Sequence, residues 1–217
     1  MSSCCTSKQC QGVEQLFDRK TADSDLADYL QNGAEKTTSL LLTQLKKSGL
    51  TGKSLLDIGG GIGAIQLEGL AGGLSAVTNV DASTAYSTVA QEEATKRGFA
   101  DNVTYLQGDF VQLAEGVESA DFVTLDRVIC CYDDMPKLVG AASQKATQAL
   151  GLVFPVDRVV LKIGRFFLNA GMSLFRHPYR FFLHSTDDVI QIAKANGLKP
   201  TFHKKNFLWQ VLIFERM

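Results

Sequence analysis

The sequence predicts an α/β fold built on a mostly parallel sheet, and three observations predict it. Short apolar runs alternate with helical stretches between residues 54 and 156. The first run ends in a glycine-rich turn, Asp57-Ile58-Gly59-Gly60-Gly61-Ile62-Gly63. Acidic residues stand at the ends of the next two runs, Asp81 and Asp109.

The elements follow in order. Residues 54–58 read as a buried strand, 64–72 as a helix and 76–80 as the second strand. Residues 86–97 are helical and stop at Gly98. Residues 103–107 form a third strand, and 120–131 contain a fourth. A helix is expected over 137–150 and a fifth strand over 152–156, which carries Pro155 near its end. Beyond it, 187–196 read as a helix closed by Gly197, and 199–205 and 208–216 as an antiparallel hairpin around Asn206. Ahead of the first strand, 14–47 read as two polar-faced helices. Residues 1–50 are therefore expected to form a helical cap, and 51–217 the main domain with a lid insertion at 157–185.

With 217 residues, 45% apolar and 21% charged, the chain has room for one domain with a full core. That composition, with a formal charge of −1, excludes a disordered chain and a strongly basic nucleic-acid binder. No apolar run reaches about 18 residues, so no spanning helix is expected. The first eight residues lack the apolar stretch of a secretion signal, which predicts a cytoplasmic protein. Five cysteines, an odd number, are expected as thiols in such a compartment.

The near-neutral charge hides an asymmetry. Nine of the 13 Phe follow residue 150. Residues 157–180 hold Arg158, Lys162, Arg165, Arg176 and Arg180 against Asp157 alone, so this segment carries +4 and the rest −5. Within it, Lys162, Arg165, Asn169, Ser173 and Arg176 recur at helical spacing, a narrow polar stripe on an otherwise apolar helix. Three roles fit: the roof of a pocket for a bulky apolar acceptor, a dimer face, or a peripheral membrane contact through 159–182.

A strand that turns at once into a helix needs small residues, because a Cβ would keep a ligand from the backbone. The first N–H groups of the helix then face that ligand. The glycines alone also fit a dinucleotide fingerprint. Asp57, two residues before the first glycine, suits a cationic amino group better than a pyrophosphate. Asp81 suits a ribose, and Asp109 beside Phe110 an adenine, along the crevice where open sheets bind ligands. The competing reading has each acid capping the next helix.

The loop, Asp81, Gly108-Asp109 and the closing hairpin resemble class I S-adenosylmethionine-dependent methyltransferases over residues 50–217. The resemblance implies a Rossmann-like seven-stranded sheet in order 3-2-1-4-5-7-6, with strand 7 antiparallel. It implies that Gly59, Gly61 and Gly63 surround the methionine part of S-adenosyl-L-methionine, with Asp57 nearby. Asp81, followed by Ala82, would hold the ribose, and Asp109 with Phe110 would frame the adenine. Asp126 at the end of the fourth strand joins this set. Gly33-Ala-Glu-Lys36-Thr37 and Leu125-Asp126-Arg-Val-Ile-Cys-Cys-Tyr132 resemble magnesium-protoporphyrin O-methyltransferases, which usually show His-Tyr-Pro where this chain has Cys131-Tyr132-Asp133. Uncharacterised bacterial methyltransferases are similar to at least the same degree.

Tyr132 and His184 are the candidates for orienting or deprotonating an acceptor, since methyl transfer depends chiefly on positioning and needs a base only for some acceptors. The expected acceptor is a small, partly apolar molecule bearing an oxygen or a carboxylate, with no nucleic-acid partner. An alternative is a thiolate or metalloid acceptor, if Cys4, Cys5, Cys10, Cys130 and Cys131 meet as soft ligands. Outside methyl transfer stand an NAD-dependent dehydrogenase and a non-catalytic cofactor-binding module.

Overall fold

Strands covered on both faces must be apolar on both, and the central strand shows it: Phe122, Val123, Thr124 and Leu125 are all buried. The computed structural model describes residues 8–217, with side chains from Cys10 onward. Its strands are β1 (Ser54–Ile58), β2 (Ala76–Asp81), β3 (Val103–Gln107), β4 (Ala120–Asp126), β5 (Ala146–Pro155), β6 (Leu198–Lys205) and β7 (Trp209–Arg216). They form one sheet in the order β3-β2-β1-β4-β5-β7-β6. Strand β7 runs antiparallel to both neighbours, and the pairs among β1 to β5 are parallel. This is the expected topology.

The helices are α1 (Lys8–Leu16), α2 (Arg19–Asn32), α3 (Lys36–Lys47), α4 (Ala64–Ala71), α5 (Thr84–Lys96), α6 (Phe110–Leu113), α7 (Met135–Lys145), α8 (Val159–Leu174) and α9 (Thr186–Ala195). One face of the sheet buries Leu56, Ile58, Val123 and Leu125 against Leu138 and Val139 of α7 and Val189 of α9. The other buries Leu55, Val77 and Phe122 against Leu41 and Leu45 of α3 and Ile65 of α4. Alternation along each strand feeds the two layers.

Two expectations need correcting. The 14–47 stretch, read as two helices, contains all of α2 and α3 and the last turn of α1. Asp18 accepts a hydrogen bond from Thr21 N at 2.9 Å and so starts a new helix two residues after α1 ends. The helix expected over 137–150 stops at Lys145, and residues 146–150 open β5 instead. Their apolar residues fit either period, and pairing with β4 and β7 decides the outcome. Arg216 closes the shortened helix by donating Nη2 to the Ser143 carbonyl at 2.7 Å.

Because β1 lies between β2 and β4, the sheet reverses its direction of progression there. A crevice opens at the carboxyl ends of these strands, and it gathers the glycine turn, Asp81 and Asp126.

Candidate active site

A buried polar row underlies the glycine turn. Asp57 of β1 is in register with Thr124 of β4 and Asn79 of β2, and Asn79 with Tyr105 of β3. Thr124 Oγ1 donates to Asp57 Oδ1 at 2.6 Å, and Gln66 Nε2 of α4 to Oδ2 at 3.1 Å. Burial pushes the Asp57 carboxyl up to about 6, against the pull of these two donors. Asp57 thus lines the cavity and anchors its floor.

Above that row the chain turns. Gly59 and Gly61 take left-handed φ values of 64° and 57°. A Cβ on Gly59 would stand 2.4 Å from Val128 Cγ2. Gly63 precedes α4 as its N-cap. Asp81 is held by two backbone donors, Gly61 N to Oδ2 at 2.9 Å and Ser83 N to Oδ1 at 2.8 Å. Burial nonetheless pushes its carboxyl up to about 6. Ala82 continues the wall.

Asp109 meets the capping reading and also stands on the cavity wall. It caps α6 by accepting from Val111 N at 3.0 Å, and it lines the cavity beside buried Phe110. Asp126 accepts from Thr38 Oγ1 at 2.5 Å, while its buried Oδ1 has no hydrogen-bond partner among the described residues. Burial raises the Asp126 carboxyl as well.

The two candidate bases do not present themselves as bases. Tyr132 donates its hydroxyl to Asp109, 3.0 Å from each oxygen. Burial and that carboxylate hold the phenol well above its usual range, so it stays protonated. His184 is absent from the cavity wall. Its Nε2 lies 2.9 Å from the Tyr132 carbonyl, its ring stacks on Phe182, and burial lowers its pKa. It positions the Tyr132 backbone.

Of the further wall residues, Phe17 and Trp209 escaped the sequence reading, whereas Arg127 lies in the strand-end segment and Tyr179 and Phe181 in the aromatic segment that it singled out. Arg127, next to Asp126, has a left-handed φ of 63° and reaches Glu35 with both Nη atoms at 2.5 Å. It also lies over the Trp209 ring at 5.2 Å. Tyr179 and Phe17 meet edge to face, with ring centroids 6.3 Å apart, and Phe181 joins them at the aromatic end. The excess of Phe after residue 150 was the one sequence signal for Phe181. Nothing local marked Phe17 or Trp209.

The proposed thiol cluster is not assembled by what is described. Cys4 and Cys5 lie outside the described residues, and Cys10 is disulfide-bonded. Cys130 and Cys131 sit at the wall with Sγ atoms 3.9 Å apart, and Cys131 Sγ lies 3.2 Å from the Tyr179 hydroxyl. Hydrogen bonding from Cys130, and from Tyr179, lowers the Cys131 thiol. Among the described residues no group of three or more His, Cys, Asp or Glu side chains is placed to hold a metal.

The cavity measures about 460 Å³, within the span of small-molecule sites. Its residues fit an adenosyl cofactor. The turn keeps side chains off the floor, Asp81 lines the wall with a buried carboxyl, and Asp126 Oδ1 has no hydrogen-bond donor among the described residues, with Arg127 Nε 3.8 Å away as its ion-pair partner.

Residues 56–147 match the family model described as a methyltransferase domain. No curated protein matches the sequence. Among solved structures, the chain is similar to magnesium protoporphyrin IX methyltransferase from Synechocystis PCC 6803. With S-adenosylhomocysteine bound, the TM-score is 0.74 at 18% identity, over 96% of this chain and 100% of that one. With S-adenosylmethionine bound, the values are 0.71 and 17%, over 96% and 97%. A geranyl diphosphate methyltransferase in complex with S-adenosylmethionine gives 0.66 at 13%, over 83% and 84%. The nicotinamide and thiol-cluster alternatives find no support in these matches.

Proposed function

We propose that this chain, whose residues 56–147 match the methyltransferase-domain model, is an S-adenosylmethionine-dependent methyltransferase that methylates the carboxylate, or an equally acidic oxygen, of a small, partly apolar molecule. Bound cofactor supplies the methyl group on a sulfonium sulfur. Gly59, Gly61, Gly63 and Asp57 would hold its methionine part, Asp81 and Ala82 the ribose, Asp109 and Phe110 the adenine.

One observation carries the choice of acceptor. Neither expected base is offered to the cleft: Tyr132 is a protonated donor bonded to Asp109, and His184, bonded to the Tyr132 carbonyl, is not among the cavity's lining residues. An acceptor that is already ionised at neutral pH needs no base, and positioning then supplies the rate. The aromatic end formed by Phe17, Tyr179 and Phe181 supplies apolar contact, and Arg127, which an acceptor carboxylate would have to share with Glu35, is the cation on the wall among the described residues. Carboxylate-bearing tetrapyrroles fall within this class, as do smaller aromatic acids.

The test is transfer of labelled methyl from S-adenosylmethionine to a panel of aromatic carboxylic acids, matched phenols and tetrapyrroles. Base-labile methyl esters are expected, with KM rising about tenfold or more in Arg127→Met for carboxylates and little for neutral acceptors. Exclusive labelling of the phenols would overturn the reading.

A further inference from the structure

Helix α8 leaves most of its apolar surface exposed. Its half-buried residues Leu161, Arg165, Asn169 and Met172 form the stripe that faces the protein. None of its residues is buried, and apart from Leu161 and Met172 its large apolar residues are exposed. Ile163 is 56% exposed, Phe166 and Phe167 67% each, Leu174 79% and the following Phe175 83%. An amphipathic helix ordinarily packs its apolar side inward, and a contiguous exposed apolar patch marks an interaction surface. The β6–β7 turn extends the patch: Phe207 is 64% exposed, with the Arg158 guanidinium 5.3 Å above its ring.

Its occupant is indicated by charge. Residues 157–180 carry +4, and their one acid, Asp157, is already paired with Lys162 at 3.0 Å. Lys204 and Lys205 stand exposed on β6 beside the same turn. A second copy of this chain would bring two +4 segments together across a two-fold axis, which like charge opposes. Anionic headgroups complement the cations, and acyl chains accept the outward aromatics. No described helix is long and apolar enough to cross a membrane, so the contact lies along the surface.

We propose that α8 and the β6–β7 turn are the face by which this protein docks on an anionic lipid bilayer. The contact is tied to the cleft. Asn169 donates Nδ2 to the Phe181 carbonyl at 2.8 Å and accepts from Phe181 N at 2.9 Å. Phe182 N in turn donates to the Cys130 carbonyl at 2.7 Å. Docking therefore bears on the strap that supplies Tyr179 and Phe181 to the cavity wall.

The experiment is co-sedimentation of the full chain with vesicles of phosphatidylcholine alone, or of phosphatidylcholine with about one third phosphatidylglycerol. Binding several-fold stronger on the anionic vesicles, and weakened by high salt, is expected. The pair Phe166→Gln and Phe167→Gln should lower the anionic-vesicle affinity about tenfold or more, since each ring leaves the acyl region. These side chains lie outside the cavity, so the variant should keep the wild-type thermal shift with S-adenosylhomocysteine, which separates lost docking from misfolding. Sedimentation that is absent, or equal on the two vesicle types, overturns the proposal. So does a concentration-dependent dimer in solution that the same pair of substitutions abolishes.

Discussion

Asp57, Asn79 and Gln66 crowd beneath Gly60, and a side chain there has nowhere to go. A Cβ on Gly60 would stand 2.3 Å from Gln66 Nε2, 2.4 Å from Asn79 Oδ1 and 2.7 Å from Asp57 Oδ2. Two of those groups are hydrogen-bonded to each other and cannot swing away without leaving a buried carboxylate under-satisfied. Gly60→Ala should therefore cost about 1–3 kcal/mol, read as a lower urea midpoint at unchanged slope. Gly164→Ala, on a helix with nothing within 4 Å of the new Cβ, is the control and should be neutral or stabilising. Equal midpoints for the two variants would remove the packed floor from the account. The sequence reading chose Gly59, Gly61 and Gly63 because their spacing is visible in the chain. It passed over Gly60, whose constraint comes from residues on three other elements. The polar row was legible as polar residues at interior strand positions, but its pairing needed the register of four strands.

Elements are joined here at a few polar junctions. Arg216, near the end of β7, donates Nη1 to the Asn196 carbonyl at 2.6 Å and Nη2 to the Ser143 carbonyl at 2.7 Å, with the Ala146 carbonyl also within its reach. One guanidinium thus serves the last carbonyls of α7, the start of β5 and the end of α9, groups that helix ends otherwise leave without partners. Arg216→Met keeps most of the apolar stem and removes the donors. A loss of about 1.5–3 kcal/mol is expected from denaturant unfolding, with the slope unchanged. A loss below about 0.5 kcal/mol would mean that water serves these carbonyls equally well. Strand positions and order were readable from alternation and turn residues. The helix limit at Lys145 was not, because residues 146–150 have no period of their own and a side chain 71 positions beyond Lys145 helps to set the boundary. The polar stripe of α8 was visible in the sequence, but only Arg165 and Asn169 of it turn inward, Lys162, Ser173 and Arg176 being exposed, and that direction depended on Asn169 meeting Phe181.

At the scale of the whole molecule, near-neutrality is an average over two separated charges. Cations gather around α8, while Asp57, Asp81 and Asp126 face the cleft, all raised by burial, the first two up to about 6. These acids bind protons more tightly folded than unfolded. Their contribution to stability is full below about pH 4 and is lost as pH rises through their folded values. Three raised acids outweigh buried His184, whose lowered imidazole acts in the opposite sense, so the cofactor-free protein should melt at a lower temperature at pH 7 than at pH 5, the exposed carboxylates with lowered values acting only below about pH 4. On the proposed placement of the ribose at Asp81, cofactor should reverse the trend, because the ribose hydroxyls would donate to the ionised form of Asp81. Affinity for S-adenosylhomocysteine, measured by calorimetry, should rise between pH 5 and pH 6.5 by up to about tenfold per unit for each acid that must ionise, then level off. Asp81→Asn should bind more weakly at pH 7.5, and it should flatten the part of the profile that belongs to this acid. A wild-type profile already flat from pH 5 to pH 7.5 would show that the cofactor does not meet an acid poised near 6, and would move the ribose away from Asp81.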